Sequence, residues 1–177
     1  KNIPKGTDLV IFSPAVRKNN PELKGAQRLK IKRLSYPQAL GELTKQYFTI
    51  AVSGTHGKST TTAMLGLVLI KAGFDPTVII GTKLKELNNA NCRVGKSKYL
   101  IIEADEHMAS FLNYRPQVII LTNIEREHLD FYKNLNRIFA TFKKYISFLP
   151  ASGELIANKD DKNARRLASL ARQKKVY

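Results

Sequence analysis

The residues whose types and spacing point most directly to chemistry are Gly54-Thr55-His56-Gly57-Lys58-Ser59. Glycines let a backbone approach an anion closely, and a helix N-terminus behind them offers free N–H groups and a favourable dipole. A lysine in that position reaches the β- and γ-phosphates of a nucleotide as a point charge, and the adjoining hydroxyl can ligate Mg²⁺. The setting is the required one, because a strand-like run at 48–52 enters the loop and a long apolar helical stretch at 60–72 leaves it. Val52 stands where the common G-x-x-x-x-G-K-[ST] pattern has its first glycine. The bland alternative is an ordinary glycine-rich strand–helix turn, and Gly-Lys-Ser in this context outweighs it.

A second constellation is acidic. Between Glu103 and Asp130 the chain carries six carboxylates against two arginines, while its other residues carry 28 basic against 8 acidic groups. Glu103 ends an apolar run, and ligands of parallel sheets bind beyond the carboxyl ends of strands, so Glu103 and the phosphate loop are expected on one edge. A carboxylate there suits Mg²⁺, which takes one or two carboxylates together with phosphate oxygens. Asp105 and Glu106 read equally well as a solvated acidic turn. A third strand end leads into Thr122-Asn123-Ile124-Glu125-Arg126-Glu127-His128-Leu129-Asp130. His128 has carboxylate neighbours, although an imidazole is an unusual ligand for a hard cation, so spacing alone leaves its role open.

The elements that must position these groups alternate along the chain. Strand signals fall at 9–12, 31–34, 48–52, 77–80, 99–103, 117–121 and 154–157. Helical spacing falls at 21–30, from 35 through Tyr47, at 60–72, 108–113, 135–148 and 163–173. Residues 84–98 read as an irregular polar excursion. Continuous apolar strands separated by helices predict an α/β fold, a P-loop-containing and mostly parallel sheet with helices on both faces. Residues 1–47 read as the tail of a small preceding α/β unit, with 48–177 as the main domain and a boundary near 46–49.

Composition narrows the classes. The net charge of +16 over 177 residues invites a polyanion, but there is no aromatic-interleaved basic strand, zinc spacing or recognition helix, so nucleic acid is not the expected partner. A hydrophobic content of 43% supports a packed core. No apolar run approaches the roughly 18 residues of a membrane span, and the first ten residues lack a signal-peptide core. The single Cys92 fits a reducing cytoplasm.

Taken together, the segment from Ala51 through the phosphate loop to Thr62, Glu103-Ala104-Asp105-Glu106 with Ala109-Ser110-Phe111-Leu112, and Thr122-Asn123-Ile124-Glu125 with Glu127-His128-Leu129-Asp130 resembles the Mur ligase family. These ATP-dependent enzymes build the peptide stem of the bacterial cell-wall precursor. The resemblance is strongest to the branch that adds L-alanine to UDP-N-acetylmuramate, and it runs from about Thr7 to Asp161.

The resemblance implies an ATP-dependent ligase acting through an acyl phosphate in the cytoplasm, with ATP, UDP-N-acetylmuramate and an amino acid as partners and Mg²⁺ as cofactor. It places Gly54, Thr55, His56, Gly57, Lys58, Ser59 and Thr60 on ATP, with Lys58, Glu103 and His128 as the catalytic set. Ser59, in place of the more usual Thr, and Glu103 would hold the metal between the phosphates, and His128 a metal on the acyl-acceptor side. Asn123 would sit beside the nucleotide or sugar substrate. His107-Met108 stands where the alanine-adding branch commonly shows Ser-Asp, a departure from close substrate equivalence. The alternative is a related ligase joining a preformed peptide or another amino acid to a UDP-sugar or other cell-surface precursor, and another P-loop NTPase is the more distant one. The family has three domains, and residues 1–47 and 48–177 correspond to the end of the UDP-sugar-binding one and the front of the central ATP-binding one. A chain of this extent is expected to be inactive as a ligase by itself.

Overall fold

The computed structural model describes residues 2–171 and the backbone of Lys175–Val176. Strand β3 (Phe48–Ser53) lies in the interior of a seven-stranded sheet, and from Ala51 to Ser53 it is wholly buried, as expected for an apolar run covered on both faces. With β4 (Thr77–Leu84), β5 (Ala90–Arg93), β6 (Tyr99–Ala104), β7 (Val118–Leu121), β8 (Glu154–Ala157) and β9 (Lys175–Val176), the order is β5-β4-β6-β3-β7-β8-β9. Every neighbouring pair is parallel except β4 with β5. The α/β class read from the sequence is the one observed.

Helices cover both faces. On one, α3 (Lys58–Lys71) sets Leu65, Leu69 and Ile70 against Val78 and Ile101. On the other, α5 (Leu135–Ile146) and α6 (Lys162–Leu170) bring Ile138, Phe142, Tyr145 and Leu167 onto Leu100, Ile102, Ile119 and Leu155. Each of these fully buried side chains contributes about 1.5–3 kcal/mol, so the sheet edge carrying the loops is anchored from both sides. A short helix α4 (Leu129–Tyr132) precedes α5.

The first 47 residues form a two-stranded parallel sheet of β1 (Leu9–Phe12) and β2 (Lys32–Ser35) with α1 (Pro21–Arg28) between them, followed by α2 (Tyr36–Thr44). Asn20 caps α1 as its sequence suggests, its Oδ1 accepting from the N–H groups of Glu22 (2.8 Å) and Leu23 (3.2 Å), with Pro21 in the first turn. This unit docks through α2. Leu40 joins the main core, and Thr44 Oγ1 accepts from Arg115 N at 3.0 Å.

Four expectations need correcting. The run 84–98 is not irregular throughout: β4 continues to Leu84, a 3₁₀ turn spans Lys85–Leu87, and β5 returns antiparallel with Ala90 opposite Leu84. Asn88 and Asn89, both at φ 58°, make the reversal, a conformation Asn adopts more readily than most residues. Helix α2 stops at Thr44 rather than running to Tyr47, so the chain can enter β3. Helix α3 starts at Lys58, two residues earlier than its apolar pattern, because the loop itself supplies the first turn. The helix expected at 108–113 is a 3₁₀ segment, His107–Asn113, broken by left-handed Met108 (φ 52°) and Ala109 (φ 56°). Helix α6 ends at Leu170, and the remainder of its expected span, at 172–173, lies outside the described residues. Among the described residues, no helix is long and apolar enough to cross a membrane.

Candidate functional site

Register brings the motifs together. Ser53 of β3 pairs with Ala104 of β6 on one side and Leu121 of β7 on the other, so Gly54, Asp105 and Thr122 all leave the sheet at the same level. From β3 the chain moves to β4 and β6 on one side and then crosses to β7 on the other, and such a reversal opens a crevice at the strand ends.

The loop after β3 is held by the segment after β7. Thr55 N donates to Asn123 O (3.0 Å), His56 N to Asn123 Oδ1 (2.8 Å), and Asn123 Nδ2 to His56 O (3.0 Å). Thr122 Oγ1 also donates to His56 O (2.7 Å), and Glu125 N to Thr55 Oγ1 (2.9 Å). Gly54 has φ 141°, and a Cβ there would fall 2.0 Å from Thr122 Oγ1, so only glycine permits this approach. Gly57, at φ 79°, turns the chain into α3, whose first N–H groups have no acceptor within the helix. The loop can therefore offer backbone donors and a helix N-terminus to an anion.

Lys58 Nζ lies within the loop, donating to Gly54 O (2.8 Å) and Thr55 O (3.0 Å), and it is paired with Glu106 at 3.2 Å from Oε1 and 2.9 Å from Oε2. Ser59 Oγ donates to Glu103 Oε1 (2.9 Å), and Gly81 N donates to Glu103 Oε2 (2.7 Å). A hydroxyl and a carboxylate brought together beside a phosphate loop are hard oxygen donors of the kind Mg²⁺ takes.

A second group lies alongside. Asp105, Glu106 and His128 each present a ligand atom within 4.8 Å of the others. His128 Nε2 is 3.8 Å from Glu106 Oε1, and the His128 ring stacks on His107 at 4.4 Å between centroids. Glu106 is only 2% exposed, and burial raises its carboxyl above the usual range while Lys58 pulls it back. The Tyr132 hydroxyl donates to the Glu106 carbonyl, and burial together with the Glu106 charge pushes that phenol up to about 12. Exposed His56 stands 3.6 Å from Glu125 Oε2 and 3.9 Å from Glu127 Oε2.

Two clefts flank this edge. A cavity of about 540 Å³ opens where α2 faces the sheet, lined by Tyr36, Pro37, Gly81, Glu103 and His107 among others. A second, also about 540 Å³ and more open, lies on the β7–β8 side, lined by His56, Gly57, Asn123 and Asn158 among others.

Lys58, Ser59, Glu103 and His128, expected from sequence to share a site, do share the edge, but in two groups. Ser59 is with Glu103, His128 is with Asp105 and Glu106, and Lys58 reaches the second group through Glu106. Asn123, expected beside a substrate, has both ends of its amide engaged by the His56 backbone. Glu106, which the sequence left evenly balanced with a solvated turn, is the buried anion of the site. Its signal was only its place in Glu103-Ala104-Asp105-Glu106, since its partners Lys58 and His128 lie far from it in sequence.

Comparison with known proteins gives a consistent picture. Residues 52–177 match the Mur ligase middle domain, and residues 1–48 match the model described as Mur ligase family, catalytic domain. The UDP-N-acetylmuramate–L-alanine ligase of Caldicellulosiruptor saccharolyticus is 44% identical over 98% of this chain, and that of Borreliella burgdorferi 39% identical over 99%. The chain spans 38% of the length of either relative. Among solved structures, UDP-N-acetylmuramate:L-alanyl-gamma-D-glutamyl-meso-diaminopimelate ligase from Neisseria meningitides superposes with a TM-score of 0.84 at 25% identity, covering 96% of this chain and 57% of that one. UDP-N-acetylmuramate-alanine ligase from Thermotoga maritima gives 0.79 at 31% identity, covering 90% of this chain and 37% of that one.

Proposed function

This chain belongs to the Mur ligase family, and from that premise we propose that the whole protein is an ATP-dependent ligase joining L-alanine to UDP-N-acetylmuramate, as the relatives' names describe, in the cytoplasm. Residues 1–47 form the end of its UDP-sugar-binding domain and 48–177 the front of its central ATP-binding domain. No nucleic acid or membrane enters this reading.

The observation that carries it is the bond from Ser59 Oγ to Glu103 Oε1 (2.9 Å), which joins the phosphate loop to the wall of the cavity between α2 and the sheet. A nucleotide γ-phosphate held by Gly54, Thr55, His56, Gly57, Lys58, Ser59 and Thr60 then lies beside a cleft able to take an acid substrate. The substrate carboxylate attacks that phosphorus and ADP leaves. The resulting acyl phosphate is attacked by the amine of the amino acid, an amide bond forms, and phosphate departs.

The chain's own residues position these partners and neutralise their charge. Lys58 leaves the carbonyls of Gly54 and Thr55 for the phosphates. Ser59 and Glu103 would hold Mg²⁺, and Asp105, Glu106 and His128 fit a second divalent cation on the acceptor side. Such ions supply charge neutralisation and alignment of the phosphate oxygens. Asn123 acts beside the nucleotide through the loop, fixing His56 from both sides.

A second reading, a ligase joining a preformed peptide, is favoured by the TM-score of 0.84 to the Neisseria meningitides enzyme. One experiment separates them: the intact protein is given ATP, Mg²⁺ and UDP-N-acetylmuramate with L-alanine, glycine, L-serine or a tripeptide, and the amide product is identified by mass. L-alanine as the preferred acceptor supports the first reading, and product from the tripeptide alone supports the second.

A further inference from the structure

Glu106 is claimed from two directions. Its carboxylate receives the Lys58 ammonium at 2.9 and 3.2 Å, and the same carboxylate stands with Asp105 and His128 in the group able to take a divalent cation. At 2% exposure it cannot stay ionised without a cation beside it, because an uncompensated buried charge costs several kcal/mol. Two cations close to one carboxylate repel each other strongly in so dry a place. Lys58 also cannot serve two anions equally well, since its remaining donors already meet Gly54 O and Thr55 O.

We propose that Glu106 is a shared counter-ion linking the phosphate loop to the acceptor-side cation group: Lys58 and a divalent cation compete for it, so that a nucleotide drawing Lys58 away prepares the second cation site. Glu106 is on this account a positioning residue, acting through Lys58 on one side and beside His128 on the other. The linkage is reciprocal. A cation seated at Asp105, Glu106 and His128 displaces Lys58 toward the phosphates, and nucleotide and second cation strengthen each other's binding by the same factor. The acceptor side is then completed more readily once the phosphate loop is filled, which weakens cation capture by the protein without nucleotide. This rests on the reading of His128 as a cation-side residue and adds to it the device that couples the two groups.

The test uses Mn²⁺ alone as the probe, without nucleotide, and measures free Mn²⁺ by electron paramagnetic resonance in titrations of the intact protein. Lys58→Met, which empties the ammonium from Glu106, is expected to bind one Mn²⁺ about tenfold more tightly than the wild type, the usual scale of coupling between sites. The gain should persist in Lys58→Met/Glu103→Gln and vanish in Lys58→Met/Glu106→Gln. Lys58→Arg, which keeps a cation against Glu106, should bind as the wild type does. Lys58→Gln, whose amide still donates to the loop carbonyls, carries the same expectation as Lys58→Met should that variant fold poorly by circular dichroism. Unchanged Mn²⁺ affinity in the uncharged variants, a gain that survives Glu106→Gln, or no Mn²⁺ binding in any variant overturns the proposal. The ligase reading stands or falls separately, on amide formation.

Discussion

Ser59 and Glu103, 44 residues apart in sequence, are joined by a 2.9 Å hydrogen bond from the serine hydroxyl to the carboxylate, which also accepts from Gly81 N. The bond exists because β3 and β6 run side by side in register and release their following residues at one level. Each side chain alone is ordinary. Together they are hard oxygen donors of the kind Mg²⁺ takes, and on the proposed reading they hold it beside the phosphate loop.

Removing either oxygen should therefore be felt as a metal defect. Glu103→Gln and Ser59→Ala are expected to raise the Mg²⁺ concentration for half-maximal activity about tenfold or more, the scale on which lost metal contacts are felt. Ser59→Thr, which keeps the hydroxyl, should stay near the wild type. A Mg²⁺ titration of ATP turnover in the intact protein checks this, and an unchanged curve for Glu103→Gln removes that residue from the site.

The two loop glycines separate steric from conformational cost. A methyl at Gly54 would meet Thr122 Oγ1 at 2.0 Å, whereas one at Gly57 meets nothing within 4 Å and suffers only from its φ of 79°. Gly57→Ala should cost about 1 kcal/mol for the left-handed backbone. Gly54→Ala, carrying overpacking as well, should cost about 2–3 kcal/mol. Urea denaturation of both variants gives the comparison, and equal losses would contradict the packing seen here.

Asn123 gives a discriminating case, since it was expected beside a substrate and is found holding His56 at both ends. Asn123→Ala should lower stability by about 1–3 kcal/mol, two net hydrogen bonds, and raise the KM for ATP while leaving that for the amino acid unchanged. A rise confined to the sugar or amino-acid substrate would show that direct contact, and not loop support, is its main work.

Acid stability should carry the mark of Asp75. The Arg93 guanidinium, followed by the Lys96 N–H, holds its carboxyl below the ordinary 3.8. A carboxyl with a lowered folded value adds stability that is complete above the unfolded value and lost as pH falls through the folded one. Between pH 2.5 and 6, wild-type stability should exceed that of Asp75→Asn at the upper end, and the gap should close below about pH 4. A gap independent of pH would assign the effect to packing instead.

Much of this was readable from residue types. β1 and β8 fall at the ends expected for them, and β3, β6 and β7 within a residue, because each is an apolar run bounded by turn residues. Ala90–Arg93 was not readable, since Ala-Asn-Cys-Arg is polar and sits at an edge where only its partner β4 makes it a strand. In the site, the phosphate loop and Glu103 could be found because position at a strand end is encoded locally. The burial of Glu106 could not, because its carboxylate meets Lys58 and His128, which stand 48 and 22 residues away in the chain. Asn123 was legible as a candidate, but its hold on His56 was not, since that depends on where the His56 backbone passes.

In the proposed reaction Lys58 serves a nucleotide whose phosphate is transferred to a carboxylate. The most direct measurement is phosphate release and amide formation by the intact protein with ATP, Mg²⁺, UDP-N-acetylmuramate and L-alanine, for the wild type and Lys58→Ala. Phosphate and amide should appear in equal amounts, only with both substrates present, and fall by a factor of about 10²–10³ or more in Lys58→Ala, the range for removing a preorganised group that stabilises developing charge. Phosphate release indifferent to the sugar acid, or a Lys58→Ala protein that ligates at the wild-type rate, would contradict it.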